Sequence, residues 1–250
     1  MIEIKDISKT FNKGSVDEII ALKNINLKIN QSDFITVVGH NGSGKSTLLN
    51  IISGSILPDK GQLLFDQSEI TKLPEFKRSR NISRVFQNPL AGTASDLTIL
   101  ENFRLASLRS KSKSLLIGNN NAFRTIVCDQ LKILNMGLEN KPDTLMGRLS
   151  GGQRQALTLL MSVFDETQIL LLDEPTAALD PKSASIVMEL AEKIISDRKL
   201  TALMVTHRMK DAIQYGNRLL MMKNGIIENE YIGATKNTIN TNDLLMWFNM

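Results

Sequence analysis

The run Gly39-His40-Asn41-Gly42-Ser43-Gly44-Lys45-Ser46-Thr47 combines glycines, a cation and hydroxyls in an order suited to holding a polyphosphate. Gly39, Gly42 and Gly44 free the backbone for a tight turn whose N–H groups point inward at phosphate oxygens. Lys45 is placed to reach the β- and γ-phosphates, and the Ser46 hydroxyl to ligate Mg²⁺. The loop therefore predicts binding of a nucleotide with Mg²⁺ rather than a plain turn between two elements. Asp173 and Glu174 supply the chemistry that such a loop lacks. Asp173 is expected to hold the Mg²⁺ hydration shell, and Glu174 to meet an attacking water as general base. A third stretch, Leu149-Ser150-Gly151-Gly152-Gln153, offers the Ser150 hydroxyl and the Gly151 and Gly152 backbone as donors to a γ-phosphate. The next residues, Arg154-Gln155-Ala156-Leu157, read as helix, which makes a second helix N-terminus suited to an anion. One chain cannot readily fold both anion sites onto the same phosphate.

These groups need elements to hold them. Phe34-Ile35-Thr36-Val37-Val38 is apolar and β-branched, ends at Gly39 and reads as a short buried strand. From Lys45 onward the residues read as a helix whose N-terminus adds partial positive charge at the phosphates. Gln168-Ile169-Leu170-Leu171-Leu172 runs apolar into Asp173, as in a parallel strand buried on both faces. Acids at the carboxyl end of such a strand lie where open α/β sheets bind ligands. Pro175 lacks an N–H and ends the strand. Earlier strands are expected at Ile2–Ile4, Ile25–Ile29 and Gly61–Phe65, with a loop at Gly14–Glu18. Between Gln87 and Leu149 strand signals are few. Thr98 can cap a helix with Glu101 at its third position. That helix is expected to carry Leu100, Phe103 and Leu108 near one face. A second helical segment runs from Ala122 to Leu134, with Cys128 packed in it. After Phe164 the pattern returns to strand, helix, strand. The tail Asn240 to Phe248 reads as a capped helix packed on its own domain, since the only Trp would otherwise be exposed.

Phosphate loop, LSGGQ stretch and acidic strand end, in that order, resemble the ATPases of ATP-binding-cassette (ABC) transporters. The resemblance covers nearly the whole chain, from Ile2 to Phe248. It implies an α/β fold: a P-loop NTPase core of ABC type with an N-terminal antiparallel β subdomain and an inserted α-helical subdomain. Residues 1–250 then form a single domain. Residues 1–87 and 165–250 make the catalytic core with the β subdomain, and 88–164 the helical signature subdomain. Further residues take roles by position in the family's pattern. Gln87 contacts Mg²⁺ and senses the membrane partner, and His207 contacts the γ-phosphate. Asp180 lies in a loop that crosses to the opposing subunit, and Phe11 stacks on adenine. Ser150, Gly151, Gly152 and Gln153 of one subunit cover the ATP held by the other. The implied assembly is a head-to-tail pair of ATPase subunits, a homodimer being possible because both half-sites are present. Within the family, Val85-Phe86-Gln87-Asn88-Pro89-Leu90-Ala91-Gly92-Thr93-Ala94 resembles ATPases paired with a branched-chain-permease-like membrane subunit. So do Leu157-Thr158-Leu159-Leu160-Met161 and Tyr215-Gly216-Asn217-Arg218. That subgroup implies an importer fed by a solute-binding protein, with an amino acid or similar small polar or aromatic solute. Pro175, where the subgroup implies His, and the stretch Ser110 to Asn121 depart from it.

Composition agrees with that reading. A length of 250 residues is ample for a core, and the net charge of +4 does not call for nucleic acid. No apolar run approaches the ~18–20 residues of a spanning helix. The first residues read as a strand, without the layout of a signal peptide. The expected place is therefore the cytoplasmic face of the inner membrane, held there through the permease. A single cysteine supplies neither an intrachain disulfide nor a cysteine-rich metal framework. Arg104, Arg109, Lys111 and Lys113 form a basic run that reads as a solvated helix end rather than a lipid contact. Chromosome and repair ATPases of the same superfamily separate the two anion-binding stretches by coiled coils or zinc modules. Here 104 positions without sustained heptads separate Lys45 from Leu149. Ribosome-associated factors carry two cassettes, and a small-molecule kinase has no need of LSGGQ. An ABC exporter ATPase remains the alternative direction of transport.

Overall fold

A computed structural model describes residues 1–109 and 120–248. Strands β1 (Ile2–Phe11) and β2 (Ile19–Ile29) pair antiparallel, and β3 (Phe34–Gly39) leads into helix α1 (Lys45–Ser53). β4 (Lys60–Phe65) and the two-residue β5 (Ser68–Glu69) complete an antiparallel sheet ordered β2-β1-β4-β5. A short α2 (Glu75–Arg78) precedes β6 (Ile82–Val85). Three helices follow, α3 (Ile99–Ala106), α4 (Asn121–Lys132) and α5 (Gly151–Ser162). The chain then alternates: β7 (Ile169–Asp173), α6 (Pro181–Asp197), β8 (Thr201–Val205), α7 (Met209–Gln214) and β9 (Arg218–Lys223). β10 (Ile226–Ile232), α8 (Ala234–Asn237) and α9 (Thr241–Phe248) close it. The second sheet has the order β10-β9-β3-β8-β7-β6, parallel from β9 to β6 with an antiparallel edge strand β10.

The unbroken apolar runs have a direct cause in this layering. Alternate residues of β7 and β8 enter different cores. Leu170, Leu172, Ala202 and Met204 face α5 and α6. Leu171, Leu203 and Val205 face α1, which is itself covered by Ile4, Leu22 and Leu63 of the antiparallel sheet. A strand buried on both faces has no position for a polar residue until it reaches its end. That end is Asp173. Arg78 fixes the far end of α1: its guanidinium donates to the carbonyls of Ile51 and Ile52 at 2.6 and 3.0 Å, and to Thr71 and Leu73 at 2.8 and 2.7 Å. Burial without a carboxylate pushes this guanidinium down to about 10.

The expected cap of α3 is present. Glu101 N–H donates to Thr98 Oγ1 at 3.2 Å, and Thr98 N–H to Glu101 Oε2 at 2.7 Å. The helix ends at Ala106, so Leu108 lies in the turn beyond it rather than on its face. Cys128 is half-buried on α4. The basic run needs a correction. Arg109 is not a solvated helix end: its guanidinium donates to Ser83 Oγ at 2.6 Å and to the carbonyls of Met161 and Ser162 at 3.0 and 2.9 Å. It thereby fastens the α3 end to β6 and α5. Arg104 lies 5.6 Å over the Phe123 ring, while Lys111 and Lys113 fall outside the described residues, as does the stretch 110–119. Among the described residues no helix is long and apolar enough to cross a membrane.

Candidate functional site

The phosphate loop joins the carboxyl end of the central strand β3 to α1. Gly44 caps α1 at φ +100°, and a Cβ there would meet the Ala21 carbonyl oxygen at 2.4 Å. Only glycine permits both the turn and the approach. Lys45 folds over the loop, donating to the carbonyls of Gly39 at 2.7 Å and His40 at 2.8 Å, with Ser43 Oγ at 3.4 Å. Burial lowers the Lys45 amine, opposed by Glu174 and Asp173. Phe11, Ile19, Ala21, Asn41, Gly42, Gly44, Lys45, Ser46, Thr47, Glu174 and His207 line one cavity of about 260 Å³. Its walls come from five separate parts of the chain. Ile19 and Ala21 were not singled out by the sequence; their apolar side beside Phe11 makes a surface on which a flat base could rest.

The two acids divide at the end of β7. Asp173 lies in the strand, with Oδ1 3.5 Å from Ser46 Oγ and Oδ2 2.5 Å from the Arg84 guanidinium. Glu174 turns out of the sheet at φ +47°, a conformation that costs a side-chain-bearing residue energy and clusters at functional sites. Its N–H still donates to Val205 of β8 at 3.0 Å. The twist sends its carboxylate to His207, whose Nε2 stands 2.6 Å from Glu174 Oε1. Thr206 secures the imidazole's position: its N–H donates to Val37, and its Oγ1 accepts from Arg208 N–H at 3.0 Å. The Ser46 hydroxyl and Asp173 Oδ1, 3.5 Å apart, fit Mg²⁺, an ion bound through one or two carboxylates that keeps several waters and takes phosphate oxygens.

Other expected residues stand apart from this cavity. Gln87 is exposed, two positions past β6, and does not line it. Ser150, Gly151, Gly152 and Gln153 open α5 at a different place. Gln153 N–H donates to Ser150 Oγ at 3.3 Å, and Ser150 N–H to Gln153 Oε1 at 3.2 Å, a reciprocal cap. Gly152 lets α5 press on α6, since a Cβ would meet Ser183 at 2.8 Å. Asp180 caps α6, accepting from Lys182 and Ser183 N–H at 3.1 and 3.0 Å. Donors of Ser183 and Lys182 hold its carboxyl below the usual range. His40 gives its carbonyl to Lys45, while its imidazole packs away from the cavity on Trp247 and Phe248, with centroids 6.2 and 4.9 Å apart. Arg84 and its partner Asn50 were not foreseen either. A lone basic residue inside a strand gives no signal until the strand's neighbours are known.

A second concavity, of about 440 Å³, lies between β6, α3 and α5, with Phe86, Leu105 and Met161 among its walls.

The sequence profile of the family described as "ABC transporter" matches residues 22–177. The tyrosine transport ATP-binding protein of Clostridioides difficile is 40% identical over 252 residues, covering 99% of this chain and 98% of that protein. The thiamine import ATP-binding protein ThiQ of a Chelativorans species is 37% identical, over 84% and 79% of the two chains. Among solved structures, the dimeric post-hydrolysis state of the ATP-binding cassette MJ0796 of Methanocaldococcus jannaschii, bound to ADP and Pi, superposes with a TM-score of 0.80. It is 31% identical and covers 93% of this chain and 98% of that one.

Proposed function

The chain belongs to the ABC transporter family, as its ATP-binding and ATP-hydrolysing subunit, and from that premise we propose that it powers import of a small solute through the residues described above. The observation that carries the hydrolytic assignment is the contact of Glu174 with His207 at the mouth of the phosphate loop. On this reading Lys45 leaves the Gly39 and His40 carbonyls for the β- and γ-phosphates. Glu174 takes the proton of the attacking water, and His207 orients that carboxylate beside the γ-phosphate. Ser46, Asp173 and Gln87 are the residues that would hold Mg²⁺, and the ion would neutralise phosphate charge. Phe11 and Ile19 carry the adenine.

The separation of the Ser150–Gln153 helix end from its own phosphate cavity supports a head-to-tail pair. In that pair Ser150, Gly151 and Gly152 of one subunit close over the nucleotide of the other, and Asp180 lies at the crossing. The groove of about 440 Å³ beside Phe86 is where a membrane permease of branched-chain-permease-like type would dock, at the cytoplasmic face. A separate solute-binding protein would supply the solute. Similarity to a tyrosine transport protein and to a thiamine import protein supports import, and an amino acid or similar small solute.

Glu174→Gln tests both halves. Loss of a positioned base lowers hydrolysis about 10²–10⁴-fold, roughly 3–5 kcal/mol of barrier. With ATP present, the same variant used as bait in membrane extract should recover a permease together with a solute-binding protein. Unchanged hydrolysis removes Glu174 from the mechanism. Recovery of a permease but no solute-binding protein points to export, and recovery of ribosomes or nucleic acid in place of a membrane protein overturns transport as the function.

A further inference from the structure

Arg84 touches three parts of the site at once. Its guanidinium donates to Asp173 Oδ2 and to Asn50 Oδ1, each at 2.5 Å, and lies 4.9 Å over the ring of Phe86. Asn50 belongs to α1, the helix whose first turn carries Lys45 and Ser46. Phe86 is the residue before Gln87. The ion pair is well shielded, both side chains being 12% exposed. The register of the sheet makes the reach possible. β6 and β7 run parallel with Arg84 opposite Leu171, so Asp173 stands one side-chain repeat further along the same face.

The pattern of contacts differs from that of an arginine serving the fold. Arg78 spends its donors on backbone carbonyls of α1 and of the Thr71–Leu73 segment. Arg84 instead addresses two side chains, Asp173 beside Ser46 and Asn50 on α1, and its buried Nε has no hydrogen-bond partner among the described residues. Occupying Oδ2 leaves Asp173 one free oxygen, Oδ1, and turns it toward Ser46 Oγ at 3.5 Å. An aspartate without that tether can rotate about two side-chain bonds and present either oxygen or neither. Partners behind a ligand set its orientation and strengthen its hold on a metal.

We propose that Arg84 is a positioning residue for the metal side of the site: it holds Asp173 with Oδ1 beside Ser46 and ties that carboxylate to α1 and to the Phe86–Gln87 loop. The assignment rests on the reading of Ser46 and Asp173 as the residues that hold Mg²⁺. Arg84 and Phe86 also line the large groove.

The test is ATP binding by titration calorimetry on the full chain carrying Glu174→Gln, with Mg²⁺ varied and with chelator. Arg84→Met should raise the Mg²⁺ concentration that gives half of the metal-dependent tightening about ten-fold, while metal-free ATP affinity stays within about two-fold. Asn50→Ala, which removes one tether, should give a smaller rise of the same kind. Arg84→Lys should recover part of the loss, since a point charge reaches Asp173 but cannot span Asn50 as well. These two variants carry the test if Arg84→Met does not fold. Equal losses with and without Mg²⁺ mark a general lesion and overturn the assignment, as does an unchanged Mg²⁺ dependence. Asp173→Asn separates the premise from the proposal. It should erase the Mg²⁺ dependence; if it leaves it intact, Asp173 does not hold the metal and the role of Arg84 falls with it.

Discussion

A carboxylate can take the proton of an attacking water only if the backbone aims it, and at Glu174, the base of the proposed mechanism, the aim is set by φ +47°. Such a conformation costs about 1–3 kcal/mol and persists where surrounding bonds over-determine it. Here the N–H bond to Val205 and the contact with His207 do so. Lys236 shows the opposite use of a charged side chain. It is buried at 2% exposure, and its ammonium donates to the Tyr215 carbonyl and, at 2.7 Å, to that of Gly216. Burial pushes the amine from 10.5 down to about 8. The folded value lies below the unfolded one, so between pH 8 and 10.5 the unfolded chain keeps a proton that the folded chain has released. Stability contributed by this residue therefore rises with pH across that window and is flat below it. Lys236→Met removes the slope and leaves two carbonyls without their donor, at about 1–3 kcal/mol per unsatisfied group. Urea unfolding at pH 7 and pH 9.5 should show the gap between wild type and variant widening at the higher pH; a constant gap contradicts it. The run from Gly39 to Thr47 was legible because it is a contiguous string, and Asn41, Gly42 and Gly44 to Thr47 line one cavity. Arg84 and Lys236 were not, since each works through neighbours 89 and about 20 positions away that only the fold brings near. Arg109 was misread for the same reason: a basic run looks solvated until its backbone partners on α5 are known.

Elements were legible where a local rule sets them. The Thr98–Glu101 cap, the buried strand into Asp173 and the helix after Lys45 each follow from a few adjacent residues. Helix ends without such a mark were less so, and α3 stops before Leu108 because Ser107 and Leu108 bond back into a turn. The tail helix α9 was expected to pack on its own domain, and it does, against Val38, Leu219 and Met221 through Leu244 and Trp247. What the sequence did not indicate is where it lands. Trp247 and Phe248 seat on the His40 ring, and the His40 carbonyl is one of the two that hold Lys45. The Trp247 indole N–H also donates to Glu228 on β10. The helix therefore braces the entry of the phosphate loop. Trp247→Ala should cost about 3 kcal/mol, at the low end for removing a buried aromatic. It should also weaken ATP binding several-fold, whereas Trp247→Phe should keep most of both. Denaturant unfolding and calorimetry separate the two effects. A fall in stability with unchanged ATP affinity means that α9 serves the core alone.

At the scale of the molecule the decisive fact is distance between complementary parts. The chain presents a cavity lined by the loop before α1, the start of α1, residues of β1 and β2 and the residues just past β7 and β8, and a second helix end at Ser150 that takes no part in it. The sequence pointed the same way, since one chain cannot readily fold two anion sites onto the same phosphate. A similar cassette is dimeric in its ADP- and phosphate-bound state. If the working unit is a head-to-tail pair of this chain, each composite site takes its phosphate loop from one subunit and its Ser150 end from the other. The two halves can then be damaged in different subunits. Lys45→Ala ruins the phosphate loop and leaves Ser150 intact; Ser150→Arg places a bulky cation in the cap and leaves Lys45 intact. Either variant alone has no complete site and should hydrolyse little ATP. In a mixed pair, the loop of the Ser150→Arg subunit faces the intact cap of the Lys45→Ala subunit, so one of the two sites is whole. Equal mixing puts mixed pairs at about half of all dimers, each with one working site of two, so recovered activity should approach roughly a quarter of wild type if the sites fire independently. Steady-state hydrolysis of the mixture against each variant alone measures it. Recovery near that level requires sites shared between subunits. Activity no greater than the mean of the two variants means either that the cap acts within its own chain or that one broken site silences its neighbour. Sedimentation of the same mixture on a Glu174→Gln background tells these apart, because ATP-dependent dimers form only if the cap of one chain closes on the nucleotide of another.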